Sequence, residues 1–282
     1  MGKKSHRTET QKRTTKIGAA LAPRFTALLN GVTPVDPAGA ILPILRAVEA
    51  RDIAEVIGTG FFVGHGLIMT ARHVVEQAEE DDPTLRTPLW CVQINPVTGE
   101  YFWRPIEHAN VHLVADVALC RLSPHLGPDG SVLGNPVLSL GDHDPEIGTP
   151  VATCAYPDSR VRRRGNGRQI DLRLNIYEGR IEEHFPHGRD RIFLPAPCFR
   201  TSMHIHPAAS GAPVFDAKIG TVFAVCTSSL TPQTDISHVT KVRPALGIPL
   251  VGAPVGGGPE PRVITLRDLP AHRATLPLGV RR

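Results

Sequence analysis

His206-Pro-Ala-Ala-Ser-Gly-Ala-Pro-Val-Phe215 is the stretch on which the reading of the whole chain turns. Ser210 stands among small residues and is followed by Gly-x-Pro and an apolar run, a pattern that places a serine on a tight turn ahead of a strand. A serine hydroxyl is nearly inert by itself. To act as a nucleophile it needs a base to take its proton, a group to orient that base, and backbone N–H donors for the oxyanion formed on attack. The rest of the chain has to supply those parts.

With 282 residues, 41% hydrophobic and 21% charged, the chain can bury a large core as one sizeable domain or two small ones. Its 26 glycines and 27 prolines favour many short strands joined by turns, an all-β class, over a helical bundle. The formal charge of +4 is too weak a bias to name a partner. Five cysteines (Cys91, Cys120, Cys154, Cys198 and Cys226) lie at wide, irregular spacing in mostly apolar runs, with no Cys-x-x-Cys pair. That predicts reduced thiols packed as small hydrophobes, no zinc ribbon, and a reducing, cytoplasmic compartment. The basic N-terminus runs into polar residues instead of a long apolar segment, so no secretory signal is expected, and His6 stands where myristoylation wants Ser or Thr. No run is long and apolar enough to predict a membrane span.

Residues 1–39 read as a basic, flexible tail and lead-in. From Ala40 onward, short β-rich runs alternate with glycine turns: Ile41 to Val48, Ala54 to Val63, Leu67 to Thr70, Leu89 to Ile94 and Glu100 to Trp103. A single helical turn or two is expected after Ala71, and Val111 to Leu122 reads as one buried strand. A Pro- and Gly-rich break at His125 to Asn135 divides a first half, 40–135, from a second, 136–252. The second half holds further short runs, among them Pro150 to Ala155, Ile192 to Leu194, Phe199 to Met203, Thr221 to Thr227 and Val239 to Pro249. Such spacing suggests closed antiparallel sheets. Residues 253–282 read as a linker and C-terminal tail.

Among thirteen histidines, His73 follows the run Leu67-Ile-Met-Thr-Ala-Arg at the start of the expected helical turn, where a rigid element would hold its ring. Asp116, in Ala-Asp-Val-Ala-Leu-Cys, is a carboxylate in an apolar run, and burying it demands a partner such as an imidazole N–H.

Three short motifs carry a family resemblance. Thr70-Ala-Arg-His73 resembles the Thr-Ala-x-His of chymotrypsin-like serine proteases, Asp116-Val-Ala-Leu resembles their Asp-(Ile/Leu)-Ala-Leu, and Ser210-Gly-Ala-Pro-Val resembles their Ser-Gly-x-Pro-Val. The chain is more particularly similar to the bacterial Deg/HtrA type. Arg200-Thr-Ser-Met-His-Ile-His-Pro-Ala-Ala-Ser resembles that group's Gln-Thr-Asp-Ala-Ala-Ile-Asn-Pro-Gly-Asn-Ser, and Gly220-Thr-Val-Phe-Ala-Val and Leu246-Gly-Ile-Pro match two further runs of the group. The resemblance spans about residues 40 to 252 and leaves too little chain for a PDZ module. It implies two six-stranded antiparallel β-barrels with the active site between them, base and acid on the first and nucleophile on the second. It implies a serine endopeptidase without cofactor, acting on protein or peptide substrates. His73 would be the general base, Asp116 its orienting acid, Ser210 the nucleophile, and the N–H groups of Ala208 and Ser210 the oxyanion hole.

At two positions the chain departs from that pattern. Ala208 stands where glycine is usual, which leaves open a strained but formed oxyanion hole, one that forms only with substrate, or a flipped peptide and a feeble enzyme. Ala209 replaces the acid that a new N-terminal ammonium would pair with, so activation by that route is not expected. In this family the S1 pocket lies along Ser202 to His204 and Cys226 to Ser229. His204 takes the place of the trypsin acid, so cleavage after Lys or Arg is not expected; Thr227, Ser228 and Ser229 would leave the pocket open. The clusters Cys198, His204, His206 and His108, His112 lack further ligands at zinc spacing, and no metal is expected. The loop Arg160 to Arg168 and the N-terminal tail are cationic enough to meet an anionic partner, though nucleic acid is not expected from so few aromatics. A protease-fold protein that binds polypeptide with little hydrolysis, or is active only when gated by a partner, remains the alternative reading.

Overall fold

The computed structural model describes residues 25–29, 31–48, 53–80, 88–95, 98–126, 130, 132, 134–164, 167–229, 236–250, 264–269 and 272. Two closed antiparallel barrels of six strands each dominate it. The first is built from β3 (Ile41–Val48), β4 (Ile53–Gly64), β5 (Leu67–Thr70), β6 (Leu89–Ile94), β7 (Tyr101–Val111) and β8 (Ala118–Leu122), in the order β3-β4-β5-β8-β7-β6. The second contains β10 (Pro150–Ala155), β13 (Asn175–Phe185), β14 (Cys198–Thr201), β15 (Pro213–Asp216), β16 (Val222–Ser229) and β17 (Ser237–Lys241), in the order β10-β13-β14-β17-β16-β15. This is the all-β, double-barrel architecture expected from the sequence. Closure removes sheet edges, and each strand turns alternate apolar side chains inward.

Ile41, Leu42, Ile44, Leu45, Phe61, Phe62, Ile68 and Met69 fill the first barrel, and their apolar cluster runs on to Phe215, Val222 and Val225 of the second. Phe199, Met203, Phe223 and Val239 belong to a separate cluster inside the second barrel. All five cysteines are buried free thiols, and burial pushes the pKa of each one up. They pack as hydrophobes and are held far from thiolate chemistry.

Both ends of the described chain pack on this body. Outside the barrels, β1 (Ala27–Leu29) pairs with β2 (Thr33–Val35) and with β9 (Pro136–Leu138), and Phe25 stacks 4.4 Å from Phe215, next to the nucleophile turn. The C-terminal segment bridges Ile264 to Leu250, buries Leu266, pairs Arg267 with Asp142, and ends with buried His272 donating from Nε2 to Val63 O at 2.6 Å. Residues 264–269 and 272 therefore form a docked strap where a free tail is expected from composition. A Thr265/Asp268 capping box closes the turn that presents Leu266 and Leu269. Of the flexible tail and lead-in expected at 1–39, residues 25–29 and 31–39 are instead ordered, in β1, β2 and the 3-10 turn Pro37–Ala40, and residues 1–24 lie outside the description.

Four local expectations change, the first being Val239 to Pro249, where β17 ends at Lys241 and Arg243–Gly247 form a 3-10 turn with Pro244 near its start. The run Val111 to Leu122 is not one strand: β7 ends at Val111, residues 113–116 bend, and β8 begins at Ala118. His112 causes the turn, because its Nδ1 accepts from both Val114 N (3.1 Å) and Ala115 N (2.8 Å). Ile192 to Leu194 is likewise no strand, since Asp190 Oδ1 draws in the N–H groups of Ile192, Phe193 and Leu194 and curls the chain. The cationic loop at 160–168 is a β-ribbon of β11 (Arg160–Arg164) and β12 (Gly167–Asp171), with the side chains of 163–168 outside the description.

Candidate active site

His73 lies on the first turn of α1 (Arg72–Glu80), directly after β5, and Asp116 lies on the bend before β8; β5 and β8 are paired neighbours in the barrel. That pairing brings the two side chains together. His73 Nδ1 sits 3.0 Å from Asp116 Oδ1 and 2.9 Å from Oδ2, while the His73 backbone N–H donates to Oδ1 at 3.0 Å. A ring nitrogen facing two carboxylate oxygens carries the proton, so Nε2 presents its lone pair. The His73 side chain is 38% exposed against 15% for Asp116, so the ring reaches solvent while the carboxylate is largely covered.

The residue written as x in Thr-Ala-x-His has a part of its own. Arg72 donates from its guanidinium to Leu113 O (2.7 Å) and His112 O (3.3 Å), and from Nε to Glu76 (2.6 Å). It staples the helix of His73 to the bend that carries Asp116. Burial, and then the Arg72 charge, lowers the pKa of His112, which keeps its Nδ1 an acceptor for the bend.

Ser210 sits on the turn before β15, where the chain is tightly confined. Gly211 has φ +86, and a Cβ there would meet Thr59 O and Thr70 Oγ1 at 2.1 Å each. Only glycine fits that approach of the two barrels. The Ser210 hydroxyl donates to Thr227 O at 3.1 Å, and among the described residues no hydrogen bond joins it to His73. The distance expected between nucleophile and base is thus not closed by a bond in this state.

Ala208 is the one non-glycine with positive φ (+64) among the described residues. Pro207 precedes it, and Ala209 N donates to His206 O at 3.2 Å. Proline second and a left-handed residue third define a type II turn; a type I turn would need negative φ at Ala208 and would turn the central peptide over. The left-handed φ is the strained conformation that an alanine at this position would have to bear. The N–H groups of Ala208 and Ser210 have no partner among the described residues, so the turn holds two donors not used by the fold.

The expected pocket residues are less uniform. Half-buried His204 lies with its ring 5.0 Å from that of His206, which in turn contacts Tyr177 OH through Nδ1 at 3.2 Å. Thr227 is buried and its hydroxyl is bonded to Thr240 Oγ1 at 2.6 Å, so it does not leave an open polar wall. Ser228 and Ser229 continue β16 beside His238 and Ser237, with side chains outside the description. Among the described residues no group of three or more His, Cys, Asp or Glu is placed to hold a metal ion. None of these residues signals its partner in the local sequence.

The sequence profile of the trypsin-like peptidase domain matches residues 58–225, more than half of the chain. The chain belongs to that family. Solved structures agree in fold with this trypsin-like peptidase domain. Deg5 superposes with a TM-score of 0.54 at 14% identity, covering 82% of this chain and 90% of its own. The active form of the Rv3671c protease from M. tuberculosis gives 0.53 at 19% identity, over 79% and 85%. Its inactive form gives 0.50 at 20%, over 75% and 88%. No curated protein matches the sequence.

Proposed function

We propose that this trypsin-like peptidase is a serine endopeptidase that cleaves protein or peptide substrates through His73, Asp116 and Ser210. One observation carries the reading: a histidine held by a carboxylate through Nδ1 shares a site with a serine flanked by two unpartnered N–H groups. On substrate binding, Ser210 Oγ turns from Thr227 O to His73 Nε2 and attacks the scissile carbonyl as His73 takes its proton. Asp116 holds the tautomer and stabilises the imidazolium. The Ala208 and Ser210 N–H groups receive the oxyanion, and His73 then returns the proton to the departing amine. A water activated by the same imidazole releases the acyl group.

The test is labelling with a fluorophosphonate probe. Wild type is expected to be modified at Ser210, with labelling abolished in Ser210→Ala and in His73→Ala while both variants remain folded. The hydroxyl resting on Thr227 O favours the gated alternative to the extent that the nucleophile starts in a turned-away position. Labelling that appears only when substrate or a partner protein is added would select that alternative.

A further inference from the structure

We infer that Thr59 is a positioning residue that registers the nucleophile turn of the second barrel on the base-bearing first barrel. The inference deepens the peptidase reading and rests on it. Thr59 lies in β4, is wholly buried, and belongs to none of the motifs around the three catalytic residues. Its backbone N–H donates to Ser210 O at 2.8 Å, and its hydroxyl donates to Ala208 O at 3.0 Å. Its own carbonyl accepts from Thr70 Oγ1 at 2.8 Å, three residues before His73. A short polar chain thus runs from Thr70, three residues before the base, through Thr59 to both residues that would supply the oxyanion donors.

The pattern of peptides around the turn shows what this connection does. The 208–209 peptide is tied at both ends, by Thr59 Oγ1 on Ala208 O and by His206 O on Ala209 N. The 210–211 peptide is also tied at both ends, by Thr59 N on Ser210 O and by Cys226 O on Gly211 N at 2.8 Å. The peptides that alternate with them, 207–208 and 209–210, are the ones whose N–H groups have no partner among the described residues. Thr59 therefore fixes the planes that alternate with the two donor peptides and aims the donors without using them. A donor aimed in advance costs no reorganisation when charge develops. The hydroxyl matters because the N–H bond alone reaches only the Ser210 end. A serine could make the same bond, whereas valine keeps the shape of threonine and loses it.

The test compares Thr59→Val and Thr59→Ser in the full chain, measuring steady-state cleavage of a peptide substrate and amide hydrogen exchange across 206–212. Thr59→Val is expected to lower kcat about tenfold or more, within the 10²–10³ that loss of a whole oxyanion donor costs, with KM within about threefold. Thr59→Ser is expected to restore kcat to within about threefold. In Thr59→Val, exchange at Ala209 and Gly211 should quicken while amides of β14 and β17 keep their protection. Unchanged kcat together with unchanged exchange overturns the inference, and so does a Thr59→Val variant whose protection falls everywhere, since that marks a role in folding alone. If wild type cleaves nothing and takes no probe, the peptidase reading fails by itself. The exchange at Ala209 and Gly211 then still decides whether Thr59 holds the turn.

Discussion

Replacing Ala208 by glycine removes the methyl group from a residue held at φ +64. A non-glycine residue in the left-handed region costs roughly 1–2 kcal/mol. Glycine in turn gives the unfolded chain more freedom to lose, which costs about 0.4–1 kcal/mol. The difference predicts that Ala208→Gly is more stable than wild type by about 0.5–1 kcal/mol, or about 1–4 °C in Tm for a chain of this size. The kinetic consequence has a definite sign. Strain at Ala208 favours turning the 207–208 peptide over, which would take one donor from the oxyanion site. Relieving 1–2 kcal/mol leaves the fluorophosphonate labelling rate at least equal to that of wild type, and raises it up to about thirtyfold to the extent that the flipped turn is populated. Ala208→Val, β-branched at the same φ, should go the other way and lose about 2 kcal/mol or more, with slower labelling. Denaturant midpoints and labelling rates of the three proteins decide the matter. An Ala208→Gly variant that is less stable and labels more slowly than wild type refutes the reasoning, because the methyl would then not be strained or the Ala208 N–H would not serve the oxyanion.

Further outcomes follow from the neighbouring contacts. Arg72→Met removes the guanidinium from Leu113 O and His112 O; discounted for its partial exposure, the loss is about 1 kcal/mol of stability, and kcat should fall about tenfold as Asp116 loses its hold on the His73 ring. Wild-type kcat in Arg72→Met would show that the bend needs no staple. Buried His238 has its pKa pushed down to about 4 from the ordinary 6.5, first by burial and then by the Arg189 and Arg200 charges, with Asp190 opposing. The folded state keeps it neutral, so the unfolded state binds the proton first. Its contribution, on the order of 3 kcal/mol, is fully present above about pH 6.5 and is lost as pH falls from there towards 4. Urea midpoints of wild type and His238→Gln should diverge at neutral pH and converge, or cross, near pH 4; parallel profiles would reject the assignment.

The double-barrel class was legible because turn residues, short apolar runs and three motifs are local signals. Thr-Ala-x-His, Asp-x-Ala-Leu and Ser-Gly-x-Pro each combine a chemical group with the turn or strand that presents it, and these patterns persist in the primary structure. The bend at 112–117 was not legible in the same way. Its cause is an imidazole accepting two N–H groups, and the pattern Val-His-Leu-Val-Ala reads equally well as a strand. Nor was the C-terminal strap, whose few apolar residues gain their value only against Gly64, Val63 and Asp142 of distant elements.

Around His206 to Phe215, the sequence by itself singled out Ser210 as the candidate nucleophile and alanine at 208 as an anomaly, whereas the requirement for glycine at 211 comes from Thr59 and Thr70 of the first barrel. Tertiary structure alone decided which backbone conformation that alanine takes and what surrounds it. The φ of Ala208 and the orientation of its N–H depend on bonds made by Thr59, a residue 149 positions away in another barrel. The physical reason is range. A motif records the angles its own residues tolerate, whereas the choice among tolerated angles belongs to whatever packs against them.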